Sequence, residues 1–256
     1  MLIPLQAGGP RCGLHNNVQE IGLDKALEPL ITHALQAVKW PLSLGENLAF
    51  AVASAEDEDK HVLHAEEIRL LSPRAARKRQ LSLTLGRAAA RLALRQLGFD
   101  DPPPVLRGDA GEPIWPDGIS GSISHCHPWS IAVVARLSGS LAIGIDVESL
   151  DRFRDLDIID IVCRNQEREW IRGDGDCRER LAMIFSAKEA IYKSLYPLCR
   201  RYIDFAEVEL SWSPQESCFR AEVLPPEVTL SEGHLSGIPV GRHNHLIFSC
   251  SVYRAL

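Results

Sequence analysis

No two of the seven cysteines form a CxxC pair, and their number is odd. That excludes the usual disulfide framework and thiolate zinc cage, and leaves the reduced thiols expected of a cytoplasmic protein. No apolar run approaches the about 18 residues that span a membrane, so no membrane span is expected. The opening MLIPLQAGGPRCGL lacks a basic stretch followed by a long apolar one, so no secretory signal is read there. Positive charge is in deficit. A formal net charge of −6 argues against general affinity for nucleic acid or anionic membrane. One stretch reverses the balance: Ser72 to Phe99 contains no Asp or Glu and seven Arg or Lys. A solvated basic face is the ordinary meaning of such a run, and a site for a small anion the functional one.

What is present suits a folded α+β protein. The 256 residues are 45% hydrophobic and 24% charged, enough for one large domain or two small ones. The segment from Ser72 to Phe99 is the strongest helix pattern, with Leu81, Leu85, Ala88 and Leu92 on one stripe. Ser72 suits the N-cap, Pro73 the first turn and Gly98 the stop. Gly86 inside that pattern costs about 1 kcal/mol relative to alanine, which points to close approach by a neighbour. LAFAVASA (48–55), WSIAVVARL (129–137) and LAIGIDVE (141–148) read as strands, the last two joined by a turn at Ser138–Ser140. Residues 100–122 read as loop, 24–40 as interrupted helix, and EDED (56–59) as a solvated loop. DIIDIVCRNQEREWI and CRERLAMIFSAKEAIYKSLYPL read as helices, the second ending at Pro197. FAEVELSW, CFRAEVL and HLIFSCSVYR close the chain as strands. The halves 1–140 and 141–256 each offer helix and strands.

Three segments carry candidate chemistry. In GIDVES, Asp146 and Glu148 share one strand face while Ile143, Ile145 and Val147 point to a core. Two carboxylates side by side repel unless a cation or proton lies between them. In FSAKEAIYKSL, Glu189 and Lys193 share a helix face, and the many apolar neighbours argue for a site rather than a solvated pair. Three carboxylates suit a hard cation, Mg²⁺ or Mn²⁺. In GSISHCHP, Ser124 and His125 read as loop residues just before a strand, and fit a phosphate contact or a structural role about equally; adjacent residues make a poor nucleophile–base pair.

Taken together, GIDVE, FSAKEAIYK, GSISH and KRQLSLTLGRAAARLAL resemble the signature of 4′-phosphopantetheinyl transferases, in the broad-specificity branch of the enterobactin-synthase and surfactin type. The likeness runs from about Pro73 to Phe205. It implies two similar α+β halves in pseudo-twofold arrangement, with coenzyme A between them. It implies Mg²⁺-dependent transfer of the phosphopantetheine arm to an acyl, peptidyl or aryl carrier protein, releasing 3′,5′-ADP. Carried onto this chain, it gives Asp146, Glu148 and Glu189 as metal ligands; Glu189 or a metal-held water could then take the proton of the incoming serine. Lys193 falls on the pyrophosphate with Lys188 nearby, and Ser124, His125, Arg87 and Arg79 at the 3′-phosphate end of coenzyme A. The first half would hold the 3′-phosphate and the second the metal. A monomer is expected, because one chain carries both halves. Glu112 stands where relatives are often basic, and Leu83 where an aromatic is common. A metal-dependent phosphohydrolase acting on coenzyme A or nucleotides is the alternative that the same carboxylates allow.

Overall fold

The computed structural model describes residues 47–56, 61–72, 74–136, 141–224 and 233–255. The expectations for 24–40, Pro73, most of EDED and the turn at 138–140 lie outside them. The first half contains β1 (Leu48–Ser54), α1 (Ala65–Ile68), α2 (Arg77–Gln96), a small hairpin of β2 (Leu106–Arg107) and β3 (Pro113–Ile114), then β4 (Ile119–Cys126) and β5 (Trp129–Arg136). The second contains β6 (Leu141–Ser149), α3 (Ile159–Val162), α4 (Asn165–Arg172), α5 (Cys177–Cys199), a hairpin of β7 (Val208–Ser213) and β8 (Cys218–Val223), then β9 (Gly233–Leu235), β10 (Ile238–His243) and β11 (Leu246–Ala255).

The two halves repeat one plan. In each, the first strand pairs with the last and the last with the penultimate: β1–β5–β4 in one sheet, β6–β11–β10 in the other. β8 and β7 extend the second sheet, and β9 pairs with β11. Strand alternation builds the layers. Ile131, Val133 and Ala135 of β5 meet Ile143, Ile145 and Val147 of β6 in a core between the sheets. On the far side of the first sheet, Ala132 and Val134 meet Ala89, Ala90, Ala93 and Leu94 of α2. On the far side of the second, Ala142 and Ile247 meet Leu181, Ile184 and Ile191 of α5. The order is therefore helix, sheet, sheet, helix. No helix among the described residues is long and apolar enough to cross a membrane.

A matched pair of buried glutamates marks the repeat. Glu67 accepts from the backbone N–H of His64 (3.0 Å), from Val105 N–H (3.0 Å) and from Arg91 of α2 (2.8 Å). Glu167 accepts from the N–H of Arg164 (2.7 Å), from Leu210 N–H (2.8 Å) and from Lys188 of α5 (2.7 Å). Each carboxylate thus starts a short helix, fixes a distant strand or loop, and neutralises a cation from the long helix.

The seam between the halves has its own chemistry. Ser120, Ser122 and Ser124 of β4 accept the N–H groups of Ile143, Ile145 and Val147 of β6 at 3.3, 3.1 and 3.2 Å. Both numbers rise by two at each rung, so the strands run parallel and are joined by serine hydroxyls. This alternation places three short polar side chains along one face of β4.

Several sequence expectations are corrected. Helix α2 starts at Arg77, not beside Ser72, whose side chain accepts from Arg74 N–H in a preceding turn. The predicted single helix over 157–171 breaks at Cys163, because Glu167 draws the Arg164 N–H into a new helix start. Pro197 does not end α5; near the terminus its missing N–H removes one rung only, and the helix closes through Arg200 N–H to Tyr196 O. Ser124 and His125 lie within β4 rather than before a strand, and part of the predicted loop is the β2–β3 hairpin.

Candidate active site

Asp146 and Glu148 stand on the α5 side of β6, as the alternation predicted, and Gly144 sets how near the helix comes. A Cβ on Gly144 would overlap the Ala190 carbonyl and lie 2.6 Å from Ser194 N. The space beside the carboxylates is thus filled by α5. Two buried serine pairs, Ser186–Ser249 (2.7 Å) and Ser194–Ser251 (2.8 Å), fasten the helix to β11. Glu189 and Lys193, between those fastenings, are delivered to the end of β6.

Asp146, Glu148, Glu189, Lys193, Ser124 and His125 all line one cleft of about 610 Å³ at the seam. Lys193 Nζ donates to Asp146 Oδ1 (2.7 Å), Ser124 Oγ (3.1 Å) and Ile145 O (3.1 Å). Ser124 in turn donates to Asp146 Oδ1 at 3.0 Å and accepts from Val147 N–H. One hydroxyl proton and two lone pairs are thereby all used. Asp146 Oδ2 is buried with no protein partner. Glu148 accepts from Arg152 Nη1 at 2.5 Å.

The electrostatics are those of carboxylates taken partly out of water. Burial, then Asp146, pushes the Glu148 carboxyl up to about 7. Burial also raises Glu189, opposed by Lys193. Desolvation at the cleft wall, then Lys193, lowers His125, which favours neutral imidazole. Cys126, also on the wall, is pushed up to about 11, chiefly by burial and then by Glu148. Among the described residues no group of three His, Cys, Asp or Glu side chains is already gathered as a metal cage. Asp146, Glu148 and Glu189 instead share the cleft while Lys193 and Arg152 hold the first two.

Three sequence candidates do not reach this cleft. Arg87 is buried, donates to Leu106 O at 3.2 Å, and has its pKa pulled down by that burial. Arg79 opens on a separate depression of about 400 Å³ with Arg74 and Arg107. Lys188 turns inward to Glu167 and to the carbonyls of Val162 (2.8 Å) and Phe205 (2.9 Å). Beside Glu189, Lys188 therefore builds the wall rather than the floor. The cation of α2 that does line the cleft is Lys78, and Arg152 joins it from the turn after β6. Neither stood out in the sequence. One residue of helix rotation separates Lys78 from Arg79, and that rotation is set where Gly86 packs on Ile123, which a Cβ would meet at 3.2 Å.

A second cleft of about 630 Å³ lies at the other end of the seam, lined by Trp115, Tyr192, Tyr196 and, again, Lys193. At its mouth Glu112 pairs with Arg200 at 2.9 Å, so the carboxylate that departs from the expected basic residue brings a guanidinium with it.

Comparison with known proteins matches both halves to families. Residues 66–135 match the 4′-phosphopantetheinyl transferase N-terminal domain. Residues 142–240 match the 4′-phosphopantetheinyl transferase superfamily. The 4′-phosphopantetheinyl transferase Svp of Streptomyces mobaraensis is 36% identical over 190 residues, 73% of this chain and 76% of its own. The 4′-phosphopantetheinyl transferase PptT of Mycobacterium tuberculosis is 32% identical over 207 residues, 80% of this chain and 89% of its own. Enterobactin synthase component D of Salmonella typhi is 34% identical over 122 residues, 47% of this chain and 50% of its own.

Proposed function

The chain belongs to the 4′-phosphopantetheinyl transferase superfamily, and from that membership we propose which residues of the seam cleft do the work. The activity is transfer of the phosphopantetheine arm of coenzyme A to a carrier protein. A serine hydroxyl of the carrier attacks the phosphorus that bears the arm. The new bond is serine oxygen to phosphorus; the bond to the bridging pyrophosphate oxygen breaks, and 3′,5′-ADP leaves.

The observation that carries this assignment is the meeting of Asp146, Glu148, Glu189 and Lys193 in one cleft between the two family-matched halves. Glu189, which lines the cleft beside Lys193, takes the serine proton. Lys193 sets a point charge against the pyrophosphate and can leave Asp146 to do so. Lys78 and His125, on the first half's wall, receive the 3′-phosphate end. Ser124 holds Asp146, Val147 and Lys193 in place, because its hydroxyl is fully shared among them.

Asp146, Glu148 and Glu189 would hold Mg²⁺, with Mn²⁺ as a substitute. The fit rests on the orphaned buried Asp146 Oδ2 and on the oxygen-only donor set of three carboxylates lining one cleft, two of them raised chiefly by burial. Bound there, the ion would polarise the pyrophosphate and offset charge on the leaving group. Because one chain supplies both walls of the cleft, a monomer suffices.

The test uses purified protein, coenzyme A, Mg²⁺ and a panel of apo acyl, peptidyl and aryl carriers, read by intact mass of the carrier. One added phosphopantetheine arm is expected, and about 100-fold or greater loss with Glu189→Ala. No mass gain on any carrier by folded protein overturns the assignment. Cleavage of coenzyme A with the carrier omitted, at the same rate, would favour a phosphohydrolase.

A further inference from the structure

Arg152 is held in the cleft by two contacts of different kinds. It lies in the single turn Leu150–Phe153 that follows β6. Its Nη1 donates to Glu148 Oε1 at 2.5 Å, and its guanidinium carbon lies 4.5 Å from the centre of the Phe185 ring on α5. The side chain is 54% exposed while that of Glu148 is 13% exposed, so the arginine reaches inward from solvent to a mostly covered carboxylate. The ionic contact is one that a competing cation removes. The ring contact is not, because a divalent ion at Glu148 leaves Phe185 where it is. The guanidinium would therefore stay over the ring, inside the cleft, with its forked donors released. That geometry matches the oxygens of a phosphate better than a single ammonium does.

We propose that Arg152 is an exchangeable guard of the metal site, which occupies Glu148 in the metal-free protein and passes to a phosphate oxygen of coenzyme A once the ion takes that carboxylate. The inference rests on the reading of Asp146, Glu148 and Glu189 as metal ligands. It assigns one residue two opposite effects. Against the ion alone, Arg152 is a competitor. Toward coenzyme A in the presence of the ion, it is a contact. A surface arginine that merely fastens its turn would have neither effect.

The experiment compares the full chain with Arg152→Gln and Asp146→Asn. Mn²⁺ binding without coenzyme A is followed by the electron paramagnetic resonance signal of the free ion. Coenzyme A binding at saturating Mg²⁺ is followed by calorimetry. Arg152→Gln should bind Mn²⁺ about threefold more tightly and coenzyme A about threefold or more weakly, in keeping with a partly exposed pair. Mn²⁺ affinity in Arg152→Gln equal to or below that of the unaltered protein overturns the proposal, as does unchanged affinity for coenzyme A. Asp146→Asn separates this from failure of the metal reading: it should abolish Mn²⁺ binding. If it does not, or if the unaltered protein takes up no Mn²⁺, the ligand assignment falls and the guard with it. Because Arg152 is more than half exposed, thermal melting should show Arg152→Gln folded like its parent.

Discussion

At the scale of single residues, burial moves the titrating groups of the cleft away from their ordinary ranges. Glu148 shows this through stability. Its folded pKa is raised from 4.5 to about 7, so between those values the folded protein binds more protons than the unfolded chain. Its contribution to metal-free stability is therefore present at low pH and lost as pH rises through about 7. Glu148→Gln, which cannot ionise, should show a shallower fall in melting temperature between about pH 5 and 8 than the unaltered protein. An identical or steeper fall would sink the argument. Cys126 gives a second case. Although it lines the cleft, its thiol is pushed up to about 11, so almost no thiolate exists at neutral pH. Iodoacetamide at about pH 8 should alkylate it far more slowly than a free thiol and leave transfer activity intact while coenzyme A is bound. Rapid inactivation that tracks labelling of Cys126 would contradict this. Asp146, Glu148, Glu189 and Lys193 were legible in the sequence because residue type and spacing carry them. Arg152 was not, since its place depends on a turn folding back over Phe185, which no spacing announces.

At the scale of elements, the site is set by how closely α5 approaches β6. Gly144 is where that distance is fixed, and a methyl group there would meet the Ala190 carbonyl. Gly144→Ala should therefore cost about 1–3 kcal/mol, and it should also shift Glu189 and Lys193 away from Asp146. The expected result is a lower urea midpoint together with a transfer rate reduced by more than the loss of folded protein explains. A variant with unchanged rate per folded molecule would show that the helix can move without moving the chemistry. The long helices and most strands were readable from periodicity. The break at Cys163 was not, because it arises from Glu167 capturing a backbone N–H, and capping by a glutamate three residues on looks like ordinary helical charge. The seam was half readable: Ser120, Ser122 and Ser124 alternate plainly, but alternation does not reveal that a second strand lies opposite.

At the scale of the whole molecule, the two halves share a plan that no repeat in the sequence discloses. The matched glutamates explain why. Glu67 neutralises an arginine and Glu167 a lysine, so the geometry recurs while the letters differ. Removing either leaves two amides without an acceptor and a cation without its counterion, at a cost of about 3–5 kcal/mol for the buried Lys188 and less for Arg91, which is partly exposed and keeps the Val62 carbonyl. The functional costs should diverge. Glu67→Ala should lower the urea midpoint yet keep most of the rate per folded molecule, because it lines none of the clefts described. Glu167→Ala should lower both, since it frees Lys188 next to Glu189. Equal rates in the two variants would show that the second glutamate is only a fastening.

The serine rungs of the seam carry one more consequence. An ordinary ladder is made from groups that nearly every amino acid owns, so few substitutions can delete a rung. Here each of the three bonds across the joint is spelled by its own serine codon. The setting of one half against the other is therefore heritable bond by bond: drift at Ser120 and Ser122 can retune the width of the gap without touching the groups that do the chemistry, whereas Ser124 ties the same joint to Asp146 and Lys193.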